Sequence, residues 1–440
     1  MTPPAQGWCT ERPPRSVYRA VVFSRLLEPR TGRTTADVIR YAMWPLAIMT
    51  VLHRVIVKAV DGSITDDFRP VYNAALAFLN NRPVYTADFG SVDPHYLYPP
   101  SGTLLMAPLA VIDPERSRWL FIGANAIAVL VGLYLLLRLF DLTLSSIAAP
   151  ILVFAAFSSE TVTNTLIFTN INGLIFLAEM VFLLLLLRRR DLWAGAALGV
   201  TFAIKPVLAP LLLLPLVRGQ WKVLVTAVGI PLVLNVVAWP LSADPMDYIR
   251  RTMPYVGEAR DYYNSSIAGN GLYFGLPDPL IWFFRIVLGI LVLVALWLLW
   301  RYYREDEVFF VVTAGGLLLV ASWLLGSLGQ MYYSMLLFPL VMSVVLKNSV
   351  MRNWPAWLAV YGFLTFDNWW VHRFNEVGRN IEYTKTTLAW SLLIVVVAGV
   401  LVSRYLVARK EGRLESGIDP AWLSPAATRD PDERTETSVR

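Results

Sequence analysis

Long apolar runs broken by short polar punctuation organise this chain. A helix needs roughly 20 apolar residues to cross ~30 Å of hydrocarbon. Runs of that length or approaching it occur at 38–60, 118–140, 143–158, 170–187, 221–241, 278–300, 308–326, 330–347, 354–370 and 386–408. They predict membrane-spanning helices joined by short polar connections.

One apolar stretch departs from this pattern. Residues 192–217 carry Lys205-Pro206 at their midpoint and lie between two basic clusters, Arg188, Arg189 and Arg190 before them and Arg218 with Lys222 after. A single span would put one cluster on the wrong side of a membrane. Proline tends to end a helix at the residue before it, so two short arms meeting at Lys205-Pro206 keep both clusters on one side. Arms of about twelve residues reach only about 18 Å at 1.5 Å per residue. That leaves the Lys205 ammonium in a cavity below the opposite surface. The run 103–112, after Tyr98-Pro99-Pro100, is too short to span and predicts an interfacial or re-entrant helix.

Charge sets the orientation. Arg12, Arg15, Arg19, Arg25, Arg30 and Arg33 precede the first run, so the N-terminal tail is expected in the cytoplasm. The next loop carries Asp61, Asp66, Asp67, Asp88 and Asp93 against Arg69 and Arg82, and is expected outside. Arg301 with Arg304, Lys347 with Arg352, and the cluster Arg404, Arg409, Lys410 and Arg413 mark further cytoplasmic segments. The expected fold is an all-α polytopic membrane protein of about twelve spans, the hairpin counted as two, with both termini cytoplasmic. Its parts are a basic tail at 1–37, a transmembrane catalytic domain at 38–410 with outer loops 61–117 and 242–278, and a mostly disordered polar tail at 411–440.

Composition agrees with that class. Of 440 residues 56% are hydrophobic and 16% charged, with 16 tryptophans, a mixture too apolar for a soluble multidomain protein. The lone Cys9 excludes an internal disulfide and a cysteine metal site. The net charge of +6 does not point to nucleic acid, because the basic residues cluster beside apolar runs. No cleavable signal is expected, since the first run is long enough to remain as a span.

The remaining polar residues gather on the outer side. Asp66 and Asp67 follow the first span, where a carboxylate pair is expensive to desolvate and is expected to be wet and reactive. With them come Asp93-Pro94-His95-Tyr96-Leu97-Tyr98-Pro99-Pro100, then Asn164-Thr165 and Thr169-Asn170-Ile171-Asn172-Gly173. Lys205-Pro206, the loop from Asp244 to Asp278 with Arg250, Arg251, Arg260 and Asn264, Gln330-Met331-Tyr332-Tyr333, and 367–385 complete the group. Acids, cations, amides and aromatics on one face read as a site for a carbohydrate and an anion, since aromatic rings stack on sugars and amides match hydroxyls.

Each of these also has a purely structural reading. One of the two aspartates caps a helix starting near Pro70, Lys205 snorkels to an interface, and the three arginines form a solvated face. His95 and His372 are surface or structural residues. Gly195 and Gly199 are helix-packing positions, and Trp369-Trp370 belongs to an aromatic belt. Asp430-Pro431-Asp432 stands in a charged tail and is accidental as a metal motif. Gly269-Asn270-Gly271 follows no strand and fails as a dinucleotide loop.

An acidic residue in the first outer loop, a Tyr-Pro-Pro after it, a mid-chain Lys-Pro and about a dozen spans resemble the GT-C superfamily, glycosyltransferase family 87 in particular. Longer strings are similar to its actinobacterial α-(1→3)-branching arabinofuranosyltransferases. They include Ile64-Thr65-Asp66-Asp67-Phe68, Glu160-Thr161-Val162-Thr163-Asn164-Thr165-Leu166, Phe168-Thr169-Asn170-Ile171-Asn172-Gly173 and Asp261-Tyr262-Tyr263-Asn264-Ser265-Ser266-Ile267. Asn353-Trp354-Pro355-Ala356-Trp357-Leu358 and Gly417-Ile418-Asp419-Pro420-Ala421-Trp422-Leu423 extend the likeness from about residue 34 to 425. Mannosyltransferases of the family tend to show Gly-Gln where this chain has Thr169-Asn170-Ile171-Asn172.

The resemblance implies a GT-C fold and a transferase of the mycobacterial cell envelope. Its donor would be decaprenyl-phosphate β-D-arabinofuranose. Its product would be an α-(1→3) branch on linear α-(1→5)-arabinan, in arabinogalactan and lipoarabinomannan. Inversion of this kind needs one base and no covalent enzyme intermediate. Asp67 is the expected base, ahead of Asp66. A phosphate leaving group needs cations more than protonation, and Lys205, Arg250, Arg251 and Arg260 are the expected clamp. His95, Tyr96, Tyr98, Asn170, Asn172, Asn264, Tyr332 and Tyr333 are the expected sugar and acceptor contacts. No nucleotide or other cofactor is required. The two outer carboxylates could hold a divalent metal, which a cationic phosphate clamp makes dispensable. The expected partners are the lipid-linked donor, the arabinan and the bilayer. A family-87 mannosyltransferase and a lipid-linked sugar transporter are the rival readings. The transporter would be expected to show internal repeats, and none is visible.

Overall fold

The computed structural model describes residues 34–62, 67–369 and 371–414. Asp66, Cys9, Trp370 and most of both expected tails lie outside them. The described chain is helical, without a named strand; an isolated bridge pairs Pro83 with Ala243.

Helix α1 (Thr35–Leu52) opens with a capping box, in which Thr34 and Asp37 satisfy each other's backbone N–H groups, and it continues as the π-helical turn His53–Ala59. The outer-loop helix α2 (Phe68–Leu79) begins two residues before Pro70. Pro100 opens the short α3 (Pro100–Met106) at a position where a missing N–H costs nothing. Asp113 caps α4 (Pro114–Leu139) by accepting from the amides of Glu115 and Arg116. Then come α5 (Ala148–Ser158) and α6 (Glu160–Ile167), bent by 58° at Ser159, α7 (Asn172–Leu187) and α8 (Asp191–Ile204). Beyond Pro206 the chain runs as a 3-10 segment (Pro206–Leu212) and a helical turn (Leu213–Val217). The remaining long elements are α9 (Trp221–Ala238), α10 (Asp278–Tyr302), α11 (Glu307–Leu325), α12 (Trp354–Leu364) and α13 (Asn375–Lys410).

Among the described residues six helices are long and apolar enough to cross a membrane, or seven if the bent pair α5–α6 is one span. They account for the apolar runs 38–60, 118–140, 143–158, 221–241, 278–300, 308–326 and 386–408. The protein is therefore a multi-pass membrane protein. The other expected spans take shorter forms. Run 170–187 yields α7 with 16 residues, and α12 stops at Leu364 where Thr365 turns extended. Run 330–347 begins as the 3-10 segment Met331–Leu337 and continues in short pieces around Pro339. Residues 192–217 are two arms, as the proline predicts.

That hairpin closes at its base. Arg189 and Arg218 each place Nη2 3.0 Å from the same carboxylate oxygen, Oε1 of Glu307 at the start of α11. Gln220 adds hydrogen bonds to Leu186 O (3.1 Å) and Asp191 Oδ1 (2.7 Å). Lys205 lies at the other end, within 3.4 Å of Asn172, the first residue of α7. The 16 residues of α7 span about 24 Å, so the tip and the base are far apart.

Helix α11 is the central strut: 72% of its apolar window is buried, against 17% for the segment containing α9 and 22% for α10. Its Gly316 lies so close to Leu340 that an added Cβ would sit 2.7 Å from the leucine Cβ. The small-residue reading of Gly195 and Gly199 holds for α8 against α9, where added Cβ atoms would lie 2.6 Å from Val223 O and 2.9 Å from Ile230 Cβ. The outer segment α3 is inserted against the same helices: Ser101 donates to Ala203 O (2.6 Å), and its amide donates to Asn235 Oδ1 (3.1 Å).

In a Cys9→Ala background, Arg188→Cys and Lys222→Cys are expected to react with an impermeant thiol reagent from one side of the membrane, and Tyr263→Cys from the other. Labelling of the first two from opposite sides would remove the hairpin.

Candidate functional site

A cavity of about 930 Å³ opens where the segment around α2 and Tyr98, the hairpin tip and the segment after α11 converge. Asp67, Tyr98, Lys205, Gln330, Tyr332 and Tyr333 line its centre.

Asp67 occupies the N-cap position of α2, but its side chain makes no capping hydrogen bond. Its amide N–H instead donates to Phe168 O (2.7 Å) in the turn between α6 and α7. The carboxylate meets Tyr332, whose hydroxyl donates to Oδ2 at 3.3 Å. Tyr332 also contacts the Gln330 amide. A Gln330 orientation with its N–H toward the phenol lets that phenol accept there and donate to Asp67.

Lys205 is where α8 ends. Pro206 forces it extended, at φ −148° and ψ 105°, while its own N–H still reaches Thr201 O at 2.6 Å. The ammonium lies 4.8 Å from the ring centre of Tyr333 and 5.4 Å from that of Tyr332, with Asn172 Oδ1 as its hydrogen-bond acceptor. Tyr332 thus stands between a carboxylate and an ammonium. An anionic leaving group beside the ammonium and a hydroxyl beside the carboxylate fit the two ends of this arrangement.

Residues with no obvious motif hold these groups in place. Thr161 on α6 donates to Tyr332 O (2.6 Å) and accepts from Met335 N (3.0 Å), fixing the backbone on both sides of Tyr333. Arg118 on α4 donates to Ala59 O, Val60 O and Ile167 O at 3.0–3.3 Å. It thereby ties the π-helical turn after α1 to the end of α6, whose next residue, Phe168, accepts from the Asp67 amide. Gly62 fits beneath it because a Cβ there would lie 2.9 Å from Ala59 O, Ile167 O and the arginine itself.

The other expected residues divide into two groups. His95, Tyr96, Arg260 and Asn264 also line the cavity. Tyr96 bonds to Thr103 Oγ1 (2.8 Å), and His95 packs edge-on against Phe89 and Tyr255. Burial pushes the phenols of Tyr96 and Tyr98 well above their usual range, and the Asp67 charge adds to this at Tyr98. Both therefore remain protonated hydrogen-bond donors. Arg260 donates to the Tyr255 hydroxyl (2.7 Å) and stacks on Tyr255 and Tyr262.

Five placements differ from the sequence expectation. The amide of Asn264 is fully used in tying its own loop to the segment after α11, donating to Arg260 O and Ser327 O and accepting from Ser266 N and Gly329 N. Asn170 is buried and accepts from Asn172 N, and Asn172 is buried against Lys205, so neither amide lines the cavity. Arg251 donates to Tyr85 O (2.9 Å) and Ala87 O (3.1 Å), and Arg250 is exposed; neither joins the cavity wall. Gln330, Asp367, Glu382 and Tyr383 also line the cavity; the sequence grouped their segments with the other polar ones but assigned none of them a role. Their one visible signal was position on the outer side. Among the described residues no group of three His, Cys, Asp or Glu side chains is placed to hold a metal.

Comparison with known proteins adds to this geometry. The family model of glycosyltransferase family 87 matches residues 96–327. An α-(1→3)-arabinofuranosyltransferase of Mycobacterium tuberculosis is 56% identical over 402 residues, covering 90% of this chain and 93% of its own. Proteins of the same name from Mycolicibacterium smegmatis and Corynebacterium glutamicum are 53% and 42% identical, covering 91% and 84% of this chain and 94% and 88% of their own. No solved structure matches.

Arg118→Ala leaves three backbone carbonyls without this donor. It is expected to cost about 1–3 kcal/mol, read as a lower thermal midpoint in detergent. An unchanged midpoint would mean that water replaces the guanidinium at no cost.

Proposed function

From the membership of this chain in glycosyltransferase family 87, to which it belongs as a glycosyltransferase, we propose that it moves D-arabinofuranose from decaprenyl-phosphate arabinose to the 3-position of α-(1→5)-arabinan. The observation that carries the reading is the opposition of Asp67 and Lys205 across Tyr332 in one cavity, in a chain whose relatives bear an α-(1→3)-arabinofuranosyltransferase name over some 90% of its length.

Asp67 takes the proton of the acceptor 3-hydroxyl. The freed oxygen bonds to the anomeric carbon as that carbon's bond to the phosphate oxygen breaks. The electron pair leaves with the lipid phosphate, and the Lys205 ammonium offsets its growing charge. One displacement turns a β donor into an α product. Arg260 is a second cation in the same wall. Ile204, Val207, Ala209 and Pro210, next to Lys205 in sequence, give the polyprenyl chain an apolar path. Asp66 assists at the acceptor. No metal is invoked, because the lysine supplies the positive charge. The enzyme works in the plasma membrane with the cavity facing the periplasm, branching arabinogalactan and lipoarabinomannan.

Purified protein given labelled decaprenyl-phosphate arabinose and, separately, polyprenyl-phosphate mannose is expected to transfer arabinose only; mannose transfer would make it a mannosyltransferase of the same family. Asp67→Asn keeps size and most hydrogen bonding but loses basicity. It is expected to lower turnover ~10²–10⁴-fold with donor binding intact. Near-normal turnover there with a dead Asp66→Asn would move the base by one residue. Lys205→Ala is expected to weaken donor use roughly ten- to a hundredfold, for a lost charge-assisted contact of ~1.5–3 kcal/mol. Unchanged donor kinetics would leave Lys205 a snorkelling residue.

A further inference from the structure

The cavity has a second polar wall that the chemistry above leaves unused. It is built from Tyr262, Tyr263, Tyr383, Asp367 and Glu382. Four separate contacts hold it together. Lys385 reaches Asp367 Oδ1 at 2.7 Å, and Glu382 Oε1 accepts from the Trp369 amide at 2.7 Å. Thr387 on the same helix donates to Ser265 O (2.8 Å), bringing the 262–265 loop against α13. Tyr383 stacks flat on Tyr273, with ring centres 4.1 Å apart and planes at 13°.

Tyr263 is the unusual member. It is 73% exposed, yet it stands at the edge of the cavity with φ at +47°. A bulky side chain rarely adopts that conformation, and it persists only where the surroundings impose it. Here the next residue imposes it, since all four Asn264 amide contacts lock the chain immediately after the tyrosine. The fold thus holds an aromatic face out at the cavity rim when folding inward would bury it.

Charge says what this wall receives. Lys385 is committed to Asp367 and to the carbonyls of Thr365 and Phe366, and Glu382 adds a negative charge, so the donor phosphate belongs at Lys205 and not here. A neutral polyhydroxylated chain suits both features, because carboxylates accept from paired hydroxyls and tyrosine faces stack on sugar rings. We infer that this wall, with Tyr263 as its platform, binds the neutral acceptor glycan beyond the residue that reacts. The inference rests on the glycosyltransferase reading above, and it names where the acceptor chain lies.

The test measures binding directly and needs no turnover. Fluorescently labelled α-(1→5)-arabinofuranosyl oligosaccharides are titrated into the full-length protein in detergent, with wild type, Tyr263→Ala and Tyr263→Phe in parallel. Loss of the aromatic face in Tyr263→Ala is expected to weaken binding roughly tenfold, and Tyr263→Phe is expected to match wild type. Affinity for the lipid-phosphate donor is expected to be the same in all three. Wild-type glycan affinity in Tyr263→Ala would overturn the inference and leave the arabinosyl reading standing. Weakened donor binding in Tyr263→Ala would overturn it too, by assigning the wall to the donor. A wild type that binds mannan oligosaccharides in place of arabinan, with the same loss in Tyr263→Ala, would support the wall and remove the arabinosyl reading.

Discussion

A proline placed after a lysine halfway through an apolar stretch is the constraint on which this structure depends. Inside hydrocarbon every backbone polar group needs an internal partner, so irregular chain is tolerated only where protein encloses it or a wet cavity meets it. Pro206 ends α8 and turns the chain back, and the broken tip is where the cavity lies. The break also frees Lys205 from a helical surface position and aims it at Tyr332 and Tyr333. The base of the hairpin, closed on Glu307 by two arginines, fixes how deep the tip reaches.

Around that tip, buried polar side chains act as struts between segments distant in sequence. Thr161 sets the backbone carrying Tyr332, and Arg118 gathers carbonyls from the turn after α1 and from the end of α6. Asn264 locks Tyr263 in its strained conformation. Neither Thr161 nor Arg118 lines the cavity. Each satisfies groups that would otherwise be costly to bury, and in doing so fixes where a more exposed neighbour points.

The cavity separates its ligands by charge. Lys205, with aliphatic residues beyond it, suits an anionic head group on a lipid tail. The wall of tyrosines and two carboxylates suits a neutral hydroxylated chain. Asp67 is hydrogen-bonded to the tyrosine that the lysine also touches.

Much of this was legible in the sequence because it is local. Run length and composition gave the membrane class, and the apolar runs matching the six long helices appear directly as hydropathy. Basic clusters flanking Lys205-Pro206 gave the hairpin, since charge placement and proline sterics act within a few residues. Asp67 and Lys205 stood out because charged groups in apolar surroundings are costly. The interior arrangement was not legible, because it depends on packing between remote segments. Asp67 and Tyr332 are 265 positions apart. Asn170, Asn172 and Asn264 looked like sugar ligands by residue type, yet packing buried all three and engaged the Oδ1 of each in a hydrogen bond within the protein. Arg250 and Arg251 were plausible anion ligands until the fold placed them outside the cavity wall. Side-chain chemistry and local periodicity determined which groups this protein has available. Only the tertiary structure decided which of them face the same cavity, because that depends on how distant helices pack and which buried polar atoms had first to be satisfied.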